Sequence, residues 1–294
     1  MQIALPFTDN IVSVSFMLVV LATVMYYLTR FSEIKGNIGY AYTVYPWIAT
    51  FPETLVSTIT AVFGYPVVAI WNSVFSATFD VAVFGVSGLL SREKVVFRPV
   101  GLLIPTVIGG MLFSSLLYAT NKVSLIDGFI LYIYLIAVTV IAIALYGFKV
   151  EVKNLARHVL GLIGIAITAF VFSYYVMALS DLINQKIAGV VAACLTSLPD
   201  LIIAIVYGID SDVSQAEILG CITHDFAENM ATAAIIAGLY GKEIIDSNPI
   251  LTATVVSITM VVLMATAIDG DIDRYDGILM IGAFAILAFF AIMM

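Results

Sequence analysis

Ten apolar runs, each long enough to cross a bilayer, occupy nearly the whole chain and leave only short polar turns between them. A spanning helix needs roughly 20 mostly apolar residues. Residues 11–30, 41–63, 66–89, 100–119, 125–147, 158–180, 187–208, 214–239, 249–268 and 275–294 meet that requirement. The turns are as short as Ser91-Arg92-Glu93-Lys94 and Asp210-Ser211-Asp212, and none could hold a soluble domain. The chain is 62% hydrophobic and 11% charged, against roughly 45–50% and about 25% in soluble domains. In hydrocarbon the backbone must bond to itself, which a helix does completely. The sequence therefore predicts an all-α polytopic membrane protein of about ten transmembrane helices. Asp9 and Asn10 precede the first run with no basic segment before them, so that run is read as a retained helix.

Several function classes drop out. A net charge of −8 disfavours nucleic acid, which needs a basic face. No glycine-lysine phosphate loop is present, so no nucleotide partner is expected, and no cofactor is required. Cys194 and Cys221 lie inside apolar runs and read as small buried hydrophobes. His158, beside Arg157 at a loop, reads as solvated, and Asp269, Asp271 and Asp273 as a solvated acidic loop.

Basic residues orient the chain. Turns after odd-numbered spans hold Arg30, Lys35, Arg92, Lys94, Arg98, Lys149, Lys153, Arg157 and Arg274, whereas the other side holds Lys122, Lys186 and Lys242. That bias places the odd turns in the cytoplasm and both termini outside; a prokaryotic plasma membrane is the expected location.

The chain also repeats itself. Ala49-Thr50-Phe51-Pro52-Glu53-Thr54-Leu55 in the second span echoes Thr196-Ser197-Leu198-Pro199-Asp200-Leu201-Ile202 in the seventh. Asp127-Gly128-Phe129-Ile130-Leu131, opening the fifth span, echoes Asp276-Gly277-Ile278-Leu279-Met280, opening the tenth. The two separations agree to within two residues. The expected organisation is two five-helix repeats, 1–150 and 151–294, forming one membrane unit. Five is odd, so the second repeat must be inverted, an architecture of secondary transporters with the site near the midplane.

Pro52 and Pro199 interrupt their helices and free backbone carbonyls, and Glu53 and Asp200 follow at once. A charge at that depth costs at least about 2.5–3.5 kcal/mol, which two equivalent positions would not carry for packing alone. Asn72, Ser73, Ser76 and Asp80 share one helix face in the third span. In the eighth, His224 and Asp225 pair at i,i+4 with Glu228 and Asn229. The acids Glu53, Asp80, Asp200, Asp225 and Glu228, with amides and hydroxyls, form an oxygen-rich set suited to calcium, sodium or magnesium rather than zinc or copper. His224, Glu228 and Asn72 are candidates for proton or accessory sites. An intramembrane aspartyl protease would also bury two acids, but Tyr275-Asp276 finds no Gly-x-Gly-Asp partner within a span. A passive cation channel would usually gain its axis by oligomerising. No enzymatic activity is expected.

Thr196-Ser197-Leu198-Pro199-Asp200 is similar to the alpha-repeat signature of the calcium/cation antiporter superfamily, which includes the sodium/calcium exchangers. Ala49 to Glu53 resembles the first copy, with alanine where the family has threonine. The resemblance covers essentially the whole chain. It implies Glu53 and Asp200 as central cation ligands, with carbonyls from Ala49 and Thr196 and hydroxyls from Thr50 and Ser197. The family's third helix reads Gly-Asn-x-x-Gly-Ser-Asn-x-x-Asn; here Trp71 and Phe75 replace both glycines, and Ser76 and Asp80 keep the ligand offsets. Starting the same pattern at Gly220 selects Asp225 and Asn229, whereas counting from Asp200 without insertion selects Thr223 and Ala227. The first register needs two extra residues in the intervening turn. The implied function is exchange of a divalent cation, calcium, for sodium by alternating access, or for protons in a proton-coupled variant. The implied partners are the transported cations and the lipid bilayer.

Overall fold

The computed structural model describes residues 8–32, 35–91, 95–152, 155–207 and 211–294. Among them, seven helices are long and apolar enough to cross a membrane unbroken. They are α1 (Ile11–Ser32), α5 (Pro66–Leu90), α6 (Val100–Thr120), α7 (Leu125–Tyr146), α8 (Leu155–Leu182), α13 (Pro249–Ala267) and α14 (Arg274–Met293). Three further spans are interrupted. The second comprises α2 (Ile38–Thr43), α3 (Tyr45–Ala49) and α4 (Phe51–Phe63), and the seventh α9 (Gln185–Thr196) and α10 (Leu198–Tyr207). The eighth is α11 (Asp212–His224), a π-helical turn over Asp225–Asn229, and α12 (Met230–Leu239). Ten spans result, as the apolar runs predict, but the second is cut into three pieces rather than bent once.

Short antiparallel pairs tie the connections together. Strands β1 (Lys35–Gly36), β2 (Val95–Val96), β3 (Lys122–Val123), β4 (Val150–Glu151), β5 (Ile244–Ile245) and β6 (Asp271–Ile272) pair as β1 with β4, β2 with β6 and β3 with β5. The first two pairs join turns after odd spans, and the third joins turns after even spans. Side-chain links obey the same parity: Arg98 meets Asp212 (3.4 Å), Lys122 meets Glu243 (2.7 Å), and the Tyr65 hydroxyl donates to Asp181 (3.0 Å). Arg92, Lys94 and Lys153, which count toward the charge bias, lie outside the described residues, as does Asp210.

Helix packing follows a twofold pattern. α1 packs on α8, and α6 on α13. The second span packs on the eighth as α9 packs on α5, and α5 meets α14 as α12 meets α7. Hydroxyl bridges repeat as well: Thr78 of α5 meets Thr259 of α13 at 3.1 Å, and Thr223 of α11 meets Thr106 of α6 at 3.0 Å.

The repeated Asp-Gly openings of α7 and α14 have a physical meaning. Ser124 and Asp127 form a capping box at the start of α7, and Asp273 and Asp276 form one at the start of α14. Each satisfies helix N–H groups that hydrocarbon could not. The glycines then admit a neighbour. A Cβ on Gly128 would meet the Ala231 carbonyl of α12 at 3.0 Å, and one on Gly277 the Gly85 carbonyl of α5 at 2.5 Å. Asp273 is thus a helix cap rather than merely a solvated acid. His158 is also not solvated: it is buried, and its Nδ1 lies 2.8 Å from the Ser32 carbonyl at the end of α1.

Burial is arranged for lipid rather than water. α5 is buried along most of its length, while α1, α7 and α14 present Val12, Phe16, Ile133, Ile136, Phe289 and Met293 outward. Without a hydrophobic driving force between helices, small residues and polar bridges hold such a bundle together.

Candidate cation site

Two helix breaks at equivalent places build the site. The chain pauses at Thr50 (φ −88°, ψ 5°) between α3 and α4, and at Ser197 (φ −85°, ψ 3°) between α9 and α10. Both residues lie in the sparsely allowed bridge region. Two residues on, Pro52 and Pro199 lack the N–H that would carry the helical ladder across the break. Glu53 and Asp200 therefore fall in the first turn of a new helix, where the dipole favours negative charge. Ala49 and Thr196 end the preceding helices, where carbonyls carry partial negative charge.

The two breaks face each other. The Ser197 hydroxyl donates to Glu53 Oε1 at 3.4 Å, and the Thr196 hydroxyl adjoins the same carboxylate. The amide of Asn72 on α5 donates to the Glu53 carbonyl (3.1 Å) and to Ser57 Oγ (2.9 Å). Thr50 Oγ donates to the Pro46 carbonyl at 2.8 Å, which leaves its lone pairs available. In the π-turn, Asn229 donates to Asp225 Oδ1 (2.7 Å) and accepts from Thr54 Oγ (2.5 Å), stitching the eighth span to α4.

The carboxylates of Glu53, Asp80, Asp200 and Asp225 are close enough to feel one another's charge. Glu53, Asp80 and Asp225 are buried, and Asp200 is partly accessible. Among the described residues, five buried oxygens here have no hydrogen-bond partner: Glu53 Oε2, Asn72 Oδ1, Ser76 Oγ, Asp80 Oδ1 and Asp225 Oδ2. Buried polar atoms are normally satisfied, and a hard cation takes six to eight such oxygens. This arrangement can bind cations or protons, and each needs the acids' charge for its own.

Side-chain contacts favour the register of the eighth span that pairs Gly220 with Trp71. Cys221 then corresponds to Asn72, and it lies beside Asp200 as Asn72 lies beside Glu53. Thr223 instead bonds Tyr42 and Thr106 at 2.9 and 3.0 Å, away from the acids, and Ala227 offers no polar group. The π-turn spans the interval from Asp225 to Asn229, whereas Ser76 and Asp80 sit on regular α-helix. π-turns of this kind occur frequently at functional sites.

The missing glycines at Trp71 and Phe75 are partly made good across the interface. A Cβ on Gly189 of α9 would meet Trp71 Cβ at 2.8 Å and the Val68 carbonyl at 2.9 Å. In the other half, a Cβ on Gly220 would meet the Tyr42 carbonyl at 2.7 Å. Close approach is thus kept in both halves, with glycine on opposite partners. Trp71 and Phe75 stack at 5.5 Å, and Phe75 reaches Phe284 of α14 at 6.2 Å.

His224 and Glu228 form their own buried pair, Nδ1 to Oε2 at 2.6 Å. The imidazole meets Trp47 edge-on at 5.5 Å, and Trp47 stacks on Tyr132. The pair thus lies toward α3 and α7. Tyr275 and Asp276 sit in the first turn of α14, where Asp276 Oδ2 accepts from Asp273 N–H as a cap. The residue that sequence reasoning missed is Cys221, whose sulfur and the Asp80 and Asp200 oxygens all lie within 4.8 Å of one another. Its place opposite Asn72 was the available signal.

Residues 153–293 match a family model described as sodium/calcium exchanger protein. Among solved structures, the H+/Ca2+ exchanger CAX matches with TM-score 0.70 at 14% identity, covering 98% of this chain and 86% of that one. The sodium-calcium exchanger NCX_Mj soaked with 100 mM Na+ and 10 mM Sr2+ matches with TM-score 0.69 at 19% identity, covering 94% and 98%. The same exchanger soaked with 10 mM Na+ and 10 mM Sr2+ gives TM-score 0.67 at 19% identity, covering 93% and 94%. No curated protein sequence matches the chain. At these identities the solved structures speak for the fold. The second half of the chain thus matches the sodium/calcium exchanger family model, and nearly the whole chain shares the exchanger fold.

Proposed function

We propose that the protein is a secondary antiporter that exchanges calcium for sodium by alternating access. The observation that carries this reading is the set of unpartnered buried oxygens on Glu53, Ser76, Asp80 and Asp225, gathered where two helix breaks meet. Calcium binds between Glu53 and Asp200, with carbonyls from Ala49 and Thr196 and hydroxyls from Thr50 and Ser197. Ser76, Asp80, Asp225 and Asn229 complete the flanking positions that sodium shares. Calcium and sodium then compete for the same charge, so neither gradient dissipates without the other. The repeats are 1–150 and 151–294, and they rock about the shared site. The turns after odd spans face the cytoplasm of a prokaryotic cell and both termini face outward.

Calcium-45 uptake into sodium-loaded proteoliposomes tests this. Uptake is expected only with internal sodium, and Glu53→Gln and Asp200→Asn are expected to abolish it. Parental transport by both variants would sink the reading.

A proton-coupled exchanger is the second reading. It is favoured by the buried His224–Glu228 pair, 2.6 Å apart beside the site. Uptake driven by a proton gradient in sodium-free vesicles would select it.

A further inference from the structure

We propose that Cys221, Asp80 and Asp200 form a mixed sulfur–oxygen seat for a soft divalent cation of the cadmium or zinc class. Cys221 Sγ and one oxygen from each acid lie within 4.8 Å of one another. Zinc binds sulfur at about 2.3 Å and carboxylate at about 2.0–2.2 Å, so side-chain rotations of order an ångström close the three groups on one ion. Two observations besides the cysteine point to a ligand. Asp80 is 1% exposed, and its Oδ1 has no hydrogen-bond partner among the described residues. Asp200 is the partly accessible member, which gives the triangle a way in.

The position also explains the choice of residue. Asn72, the counterpart of Cys221, spends its amide on the Glu53 carbonyl and Ser57. A thiol is only a weak hydrogen-bond donor and does not hold a backbone in that way. What the substitution adds is polarisable sulfur, which favours cadmium and zinc over calcium and magnesium. Three protein ligands leave a fourth position open, as in zinc sites that exchange their ligands. As the metal–sulfur bond forms, the thiol proton passes to solvent. This inference rests on the carboxylates being the cargo site, and it widens the cargo to softer ions.

The test uses full-length protein carrying Cys194→Ser, so that Cys221 is the remaining thiol. Cadmium is titrated while the ultraviolet sulfur-to-cadmium charge-transfer band is followed. The band is expected to appear and to vanish in Cys221→Ser and Cys221→Ala. Cadmium affinity should then fall about tenfold or more, with calcium affinity changed less than about twofold. Asp80→Asn should keep the band but weaken cadmium binding. A parent protein without the band, or a band that survives both cysteine substitutions, overturns the proposal. If Glu53→Gln and Asp200→Asn abolish calcium flux while the band is absent, only the soft-cation seat fails. If the band behaves as expected while those variants transport normally, the metal seat stands, but the calcium exchanger reading and the widened cargo both fail.

Discussion

Single residues here do work that their chemical type alone does not announce. Asn72 donates both to the Glu53 carbonyl and to Ser57, so it holds the first helix break against α5. Its loss leaves buried acceptors unpaired, at a cost of about 1–3 kcal/mol. Asn72→Ala is therefore expected to lower calcium affinity about tenfold and to lower the melting temperature in detergent. Unchanged calcium affinity would show that Glu53 is held without it. Thr54 is a similar case, because its hydroxyl reaches Asn229 in the π-turn. Thr54→Val should uncouple α4 from the eighth span and reduce turnover, read as initial uptake rate, more than it reduces stability. His224 and Glu228, by contrast, satisfy each other, so either single substitution strands its partner.

At the scale of elements, glycines and caps decide which helices can touch. Gly189 and Gly220 bring the third span against the seventh and the eighth against the second, with no room for a Cβ. Overpacking costs about 1–3 kcal/mol, and here the clashes are with backbone. Gly189→Val and Gly220→Val are each expected to lower thermal stability and abolish uptake. Gly282→Val is the control, since nothing lies within 4 Å of a Cβ there. Equal melting temperatures for all three would refute the close-approach argument. The capping boxes make a separate prediction. Ser124→Ala and Asp273→Ala should each lose about 1 kcal/mol, measured by thermal unfolding.

Across the whole molecule, the two halves are bound by like-parity turns and by crossed packing. Lys35–Gly36 pairs with Val150–Glu151 on one side, and Lys122–Val123 with Ile244–Ile245 on the other. An impermeant amine reagent added to right-side-out vesicles should modify Lys122 and Lys242 and spare Lys35 and Lys149. The reverse pattern would invert the proposed topology. Alternating access needs the site to open to each side in turn while the bundle holds. The contacts of α1 with α8 and of α6 with α13 each join one half to the other, so they lie where such a motion would act.

The sequence alone determined what is periodic or local. Ten spans follow from apolar length, the helix breaks from Pro52 and Pro199, and the repeat from matched motifs around them. His224–Glu228 and Asp225–Asn229 were also legible, because i,i+4 spacing on a helix guarantees proximity. Only the tertiary structure decided what depends on which helices meet. Asp-Gly in α7 and α14 reads as a repeat, but its role as a cap plus a contact needs α12 and α5 in place. The glycine lost at Trp71 is supplied by Gly189 on a different span, a substitution invisible along one chain segment. Cys221 looks like a small core residue in sequence, and becomes a potential ligand only when Asp80 and Asp200 arrive from two other helices. Membrane helices are individually stable through their own backbone bonds. Their lengths can therefore be read locally, while their partners are chosen by side-chain fit in three dimensions.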